Sequence, residues 1–145
     1  IPSQLTYIGV RAFFCCLQLR RIEIPIDSKL QIIDHYAFAN TSIKKIAIPS
    51  KLTHIKTGAF DTCKRLKHIE IQYNSKLQTI EDEAFADTSI GSIVIPSNVT
   101  KISMKVFILC DRLQIIEFNN EIKLESIDIK WFNFSKSIIF MIPNK

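Results

Sequence analysis

The sequence predicts an α/β repeat solenoid: one array in which parallel strands stack on one side and short helical turns close the other. Three observations carry this. Ile1-Pro2-Ser3, Ile48-Pro49-Ser50 and Ile95-Pro96-Ser97 recur at one spacing, since 95 − 48 = 48 − 1 = 47, and Ile142-Pro143 opens a further copy. Between these copies lies a second unit, at residues 24–47, 71–94 and 118–141, so units of 23 and 24 residues alternate. Apolar rows then hold register through every unit, as in Ile22, Ile46, Ile69, Ile93, Ile116 and Phe140. The six coils run at about 1–23, 24–47, 48–70, 71–94, 95–117 and 118–141, with the start of another at 142–145.

Each coil begins to explain itself at its strand. The row of Ile22 is followed two residues on by Ile24, Ile48, Ile71, Ile95, Phe118 and Ile142. Apolar, β-branched residues at period two read as a strand, and strands separated by a whole coil must stack in parallel. Pro25, Pro49, Gln72, Pro96, Asn119 or Pro143 comes next. Proline has no ladder N–H, so it belongs at a strand's end. Leu5, Leu30, Leu52, Leu77, Val99 and Leu124 follow, and three residues later Ile8, Ile33, Ile55, Ile80, Ile102 and Ile127, as the far side of the coil turns inward.

A small residue and an aromatic then recur: Ala12-Phe13, Ala37-Phe38, Ala59-Phe60, Ala84-Phe85 and Val106-Phe107. The small residue lets a short helical turn approach the next coil, and the Phe fills the space between layers. The coil closes on Cys16, Cys63 and Cys110 in one unit and Thr41, Thr88 and Ser135 in the other. A small weak donor facing inward can satisfy loop backbone groups. The last unit departs from the pattern, with Trp131 before Phe132 and Ser137 in an aliphatic row.

These rows, read as L-x-x-I-x-I-P-x-x-L-x-x-I-x-x-x-A-F-x-x-C over residues 48–69 or 66–94, resemble BspA-type (Treponema-type) leucine-rich repeats. The resemblance spans essentially the whole chain. It implies a leucine-rich-repeat horseshoe with a concave parallel sheet. It also implies a surface or secreted setting in a bacterium or parasitic protist, with roles in adhesion and protein binding. No signal or anchor is visible in this segment; the chain opens and closes in one repeat phase and reads as part of a longer array.

Composition agrees with a packed core: 47% of residues are hydrophobic. No run approaches the ~18 apolar residues of a membrane span. The net charge of +5 is mixed in sign, unlike a nucleic-acid tail. Cys16, Cys63 and Cys110 sit two coils apart, roughly 10 Å at a strand spacing of about 4.8 Å, too far for a disulfide. They read as small buried thiols.

On strands whose row residues point inward, the residues between point outward. That puts Arg21, Glu23, Lys45, His68, Glu70, Ser92 and Glu117 on the expected concave face, grading from charged to apolar at Ile139 and Met141. They could bind an extended protein or glycan ligand, or simply keep the face solvated, with Arg21, Lys45 and His68 pairing with Glu23 and Glu70. Asn98, Asn40 and Asn133 begin Asn-x-Ser/Thr sequons, Asn98 in the most exposed turn.

Nothing assembles a catalytic set. His35, His54 and His68 fall in different rows without metal-ligand spacing. Three glycines make no phosphate loop, and the basic start is interleaved with acids rather than aromatics, against nucleic acid. No cofactor is implied. The reading is a non-catalytic recognition module at the cell surface. The alternatives are an intracellular scaffold, or the targeting arm of an enzyme lying outside the segment.

Overall fold

The computed structural model describes residues 1–72, 74–103, 105–119 and 138–141. They form a parallel β-solenoid. On one side stand the longer strands β3 (Lys45–Ile48), β5 (His68–Ile71), β7 (Ser92–Ile95), β9 (Ile115–Phe118) and β10 (Ile139–Met141). Register follows the repeat: Ile46 lies opposite Ile69, and Ile93, Ile116 and Phe140 line up in turn. A second ladder stands where the coil was expected only to turn inward. It joins two-residue strands β1 (Tyr7–Ile8), β2 (Ile32–Ile33), β4 (His54–Ile55), β6 (Thr79–Ile80) and β8 (Lys101–Ile102), in unbroken coil order. The Ile of each pair is buried, and its C=O or that of a neighbour takes a bond from the next coil.

The expected helical turns are corrected: the described residues contain no helix. Each small-aromatic segment is instead a chain of tight turns, and its backbone bonds show why. Alternate N–H groups bond within the turn, as Ala37 to Asp34 (3.1 Å) and Ala39 to Tyr36 (3.2 Å). The N–H groups between them reach the next coil, as Tyr36 to Thr57, Phe38 to Ala59 and Asn40 to Asp61 (3.0, 2.8 and 2.8 Å). A helix needs every N–H for its own i−4 carbonyl, so a turn that shares half of them with a neighbour cannot become one. Left-handed residues complete the pattern: Arg11, Tyr36, Gly58 and Glu83 at one place in the turn, Cys15, Asn40, Thr62, Asp87 and Leu109 four residues on.

The core lies between the three hydrogen-bonded faces. Ala37, Ala59 and Ala84 are fully buried beside Phe38, Phe60 and Phe85. Phe13, Phe38, Phe60 and Phe85 stack nearly parallel at 5.0, 5.3 and 5.4 Å. The step to Phe107 widens to 6.1 Å, where the bulkier Val106 replaces Ala. Cys63 Sγ donates to the Phe38 carbonyl at 3.1 Å and meets Thr41 Oγ1 at 3.3 Å. Cys110 does the same with Phe85 and Thr88, so the closing row satisfies loop carbonyls as expected. Cys16 differs: with no coil before it among the described residues, it is exposed.

The loops of the two units part company at one serine. Units of 24 residues carry Ser28 or Ser75, both buried, whose Oγ accepts the N–H of Leu30 or Leu77 at 3.2 Å. That side chain helps absorb the two residues by which this loop is longer, Ile24 to Leu30 against Ile48 to Leu52, without leaving the Leu N–H unpaired.

Two departures concern the longer strands. Residues 21–25, expected as the first strand, pair with nothing in a ladder, although Ile22 and Ile24 pack on the core. The ladder also stops between β5 and β7, giving separate sheets β3-β5 and β7-β9-β10. Ile69 and Ile71 of β5 are only half-buried, whereas their counterparts Ile46, Ile48, Ile93 and Ile95 are buried. The Trp131 coil, Leu124, Ile127, Ser135 and the start of a further coil at 142–145 lie outside the described residues.

Candidate functional site

The outward positions of the longer strands form two columns. Arg21, Lys45, His68, Ser92, Ile115 and Ile139 make the first; Glu23, Ala47, Glu70, Val94, Glu117 and Met141 make the second. Pairing sets Lys45 beside His68 and Ala47 beside Glu70, then Ser92 beside Ile115 and Val94 beside Glu117. Arg21, Glu23, Lys45, His68, Glu70 and Ser92 are exposed, and Glu117 is half-buried. All seven residues named from the sequence therefore stand outside the core.

Their pairing differs from expectation. Arg21 bonds Glu23 two residues away on its own segment, with side chains 75% and 72% exposed. An exposed pair of this kind contributes about 0–1 kcal/mol. Among the described residues, no ion pair joins Lys45 or His68 to Glu70, so those charges are open to a ligand or to water. Character changes where the ladder stops: outward residues up to Glu70 are charged except Ala47, while beyond it Val94 (45% exposed), Ile139 (59%) and Met141 (48%) are apolar, with Ser92 and Glu117 among them.

A cleft of about 400 Å³ lies on the charged part, between residues 21–25 and β3. Arg21, Glu23, Lys45, Ala47 and Glu70 contribute to its walls. Ala47 leaves a notch, because the corresponding places carry Glu23 and Glu70. Among the described residues, no backbone hydrogen bond joins residues 20–25 to β3. Other coils are tied at this level, as by Lys67 N–H to the Lys44 carbonyl and Gln114 N–H to the Gly91 carbonyl, both at 2.9 Å; among the described residues the step from β5 to β7 lacks such a bond too.

A second polar group sits on the short-strand side, and it was not singled out from the sequence. Lys56 Nζ lies 2.7 Å from Glu81 Oε1, and Thr57 gives Glu81 both its N–H and its hydroxyl at 3.1 Å. Burial pushes the Glu81 carboxyl up, but these three donors outweigh it and hold its pKa below the ordinary value. Next along, Tyr7 and His35 hydrogen-bond Asp34. There too desolvation opposes ionisation, and the donors win and lower the pKa. Asp34, Lys56, Glu81 and Ser103 share one row after the inward Ile, which is the signal that could have found them. Glu81 takes its bonds from the coil before it, and Asp34 takes one from Tyr7 in the coil before it and the rest from its own neighbour His35, so the group clamps the stack.

His54 bonds Thr53 and His68 stands on β5, so the three histidines are apart. Among the described residues no cluster of three His, Cys, Asp or Glu could hold a metal, and no helix is long and apolar enough to cross a membrane. Burial raises the pKa of the Cys63 and Cys110 thiols. Asn98 is exposed, and its Nδ2 gives one hydrogen to Ser75 C=O at 2.7 Å. Asn40 is half-buried and left-handed, its Nδ2 bonds Cys15 Sγ, and Thr41 of its sequon is buried. Asn133 lies outside the described residues.

Comparison with known proteins then bears on the whole array. Six copies of the family described as "BspA type Leucine rich repeat region" match, over residues 1–114 and 31–145. No curated protein matches. The pneumococcal vaccine antigen PcpA superposes with a TM-score of 0.80 at 28% identity, over 83% of this chain and 30% of that one. A leucine-rich cell surface protein of Faecalibacterium prausnitzii A2-165 superposes with a TM-score of 0.61 at 24% identity, over 82% and 37%. The chain thus spans about a third of the length of either.

Proposed function

Because the chain belongs to the BspA-type leucine-rich-repeat family, we propose that it is a non-catalytic recognition module whose long-strand face binds a protein ligand at the cell surface. The observation that carries this is the pair of outward columns. Twelve positions on that face are spared from the core and carry a charged part and an apolar part. Solenoids use extended faces of this kind to bind extended partners. A hydrophobic β-face bordered by charge also suits a protein better than a nucleic acid, which would demand a continuous basic stripe. The surface setting draws on the similarity to the F. prausnitzii cell surface protein and on the pneumococcal antigen. Asn98 is the sequon we propose for glycosylation in a secreted eukaryotic product, since its side chain is exposed and keeps a hydrogen free of the Ser75 bond.

A second reading, the intracellular scaffold, has one observation in its favour. Cys15 is free and exposed, and a free surface thiol suits a reducing compartment. Location decides between the two. Intact cells of the source organism are labelled with a membrane-impermeant reagent, and the protein is recovered. Labelling in intact cells supports the surface module, and a mass drop on N-glycan removal adds the use of Asn98. Labelling only after lysis overturns the surface reading in favour of the scaffold.

A further inference from the structure

We propose that the cleft between residues 21–25 and β3 takes an extended segment of a protein partner as an added parallel strand, with an acidic residue beside Arg21 and Lys45 and a basic residue two positions on, beside Glu23 and Glu70. This rests on the recognition reading above and names the chemistry of the ligand.

The backbone makes the first argument. Strand β3 is bonded in register to β5 on one side. On its other side, residues 20–25 give it no backbone bond among the described residues, although Ile22 and Ile24 lie against the same core. Every strand residue has one donor and one acceptor that need partners, and an open strand edge is a template for another chain. Strand addition of this kind draws affinity from main-chain bonds and specificity from alternate side chains.

Space makes the second. Three residues of extended chain occupy about 480 Å³, at ~3.3 Å per residue and spacings of about 4.8 and 10 Å. The cleft's 400 Å³ takes between two and three residues of that kind, with the outward side chains over its open rim, and is small for a folded element.

Charge makes the third. An incoming strand would carry one side chain in the column of Arg21 and Lys45, and the next outward one in the column of Glu23, Ala47 and Glu70. Lys45 and Glu70 have no ion-pair partner among the described residues. Ala47 leaves the room for a long basic side chain to pass between the two carboxylates. The residue between them points inward, beside Ile22 and Ile46, and should be β-branched.

The test is a peptide titration, by fluorescence anisotropy or calorimetry, on the whole chain. The probe is a capped peptide reading Thr-Glu-Ile-Lys-Ile-Thr. The first control is the charge-swapped Thr-Lys-Ile-Glu-Ile-Thr. The second is the probe with alternate backbone nitrogens methylated on the edge that would face β3. The protein variant is Ala47→Met, which copies the residue at Met141 in the same column and so leaves the coil able to fold. The expected result is saturable binding of the probe, at least tenfold weaker for both control peptides and for Ala47→Met. Equal binding of the methylated peptide overturns strand addition, and equal binding of the swapped peptide overturns the charge assignment. No binding of any peptide overturns the inference. The recognition reading is judged separately, by surface labelling and by the effect of Val94→Lys on adhesion of cells carrying the protein.

Discussion

Replacing Phe60 by Ala removes the central ring of the stack. Phe60 is fully buried, and its ring lies 5.3 Å from Phe38 and 5.4 Å from Phe85. Truncating a buried Phe costs about 3–5 kcal/mol through lost transfer energy and a cavity. Here the upper half of that range applies. Two rings lose their partner at once, and collapse is opposed by the turn bonds of Phe60 N–H to Ala84 and of Phe38 N–H to Ala59, at 2.9 and 2.8 Å. Phe13 supplies the comparison. It is half-buried and stacks on one ring, Phe38, at 5.0 Å, so Phe13→Ala should cost about 1–2 kcal/mol, by the smaller area removed from water. Urea unfolding followed by far-ultraviolet circular dichroism measures both. In an array whose coils touch only neighbours, the slope of the transition also reports whether unfolding stays cooperative. Equal costs for the two variants would refute the claim that the stack is a shared interior element.

Other outcomes follow from the same contacts. Glu81→Gln should cost about 1–2 kcal/mol, with a pH signature. The folded carboxyl has a lowered pKa, so its stabilisation is present above the ordinary carboxyl range and fades as pH falls through the folded value. The variant's stability should lack that part of the acid dependence in urea titrations from pH 7 to 3. A thiol reagent should react at once with Cys15 and Cys16 and with Cys63 and Cys110 only on unfolding, because the latter are buried and their thiols resist ionisation; four fast thiols would contradict the closing row's place in the core. Gly58→Ala should destabilise by about 2 kcal/mol, since Gly58 has φ +62° and a Cβ would meet the Tyr36 ring. Because Tyr36 and Glu83 tolerate the same φ, the double variant Gly58→Ala with Tyr36→Ala should be less destabilised than the sum of its parts in denaturant melts.

The rows made much of this fold legible. Ile46 faces Ile69 and Ile93 faces Ile116 because period two and the regular repeat leave no other register. The outward set from Arg21 to Glu117 followed from the same alternation. The turns were not legible, because Ala-Phe in a helical-looking setting carries no mark of the left-handed residues beside it. Arg11, Cys15 and Tyr36 adopt positive φ without being glycine, under the pull of bonds from the next coil. Nor could the rows show that residues 21–25 give β3 no backbone bond or that the ladder stops at β5. Ile22 and Ile69 satisfy the pattern as well as Ile46 does; strand pairing depends on neighbours on both sides, which no single row records. The Glu81 clamp went unseen because its partners, Lys56 and Thr57, are 25 and 24 residues away.

The closing row bears on how such an array can lengthen over generations. Cys63 reaches back to Thr41 and Cys110 to Thr88, so each thiol is matched to a hydroxyl one coil earlier. Gene rearrangement that duplicates or deletes a single coil would set thiol on thiol or hydroxyl on hydroxyl, and would place two long loops or two short loops side by side. Rearrangement by two coils restores every neighbour. The heritable unit is therefore the 47-residue pair, and a lineage can change its reach in those steps while the outward columns diverge freely.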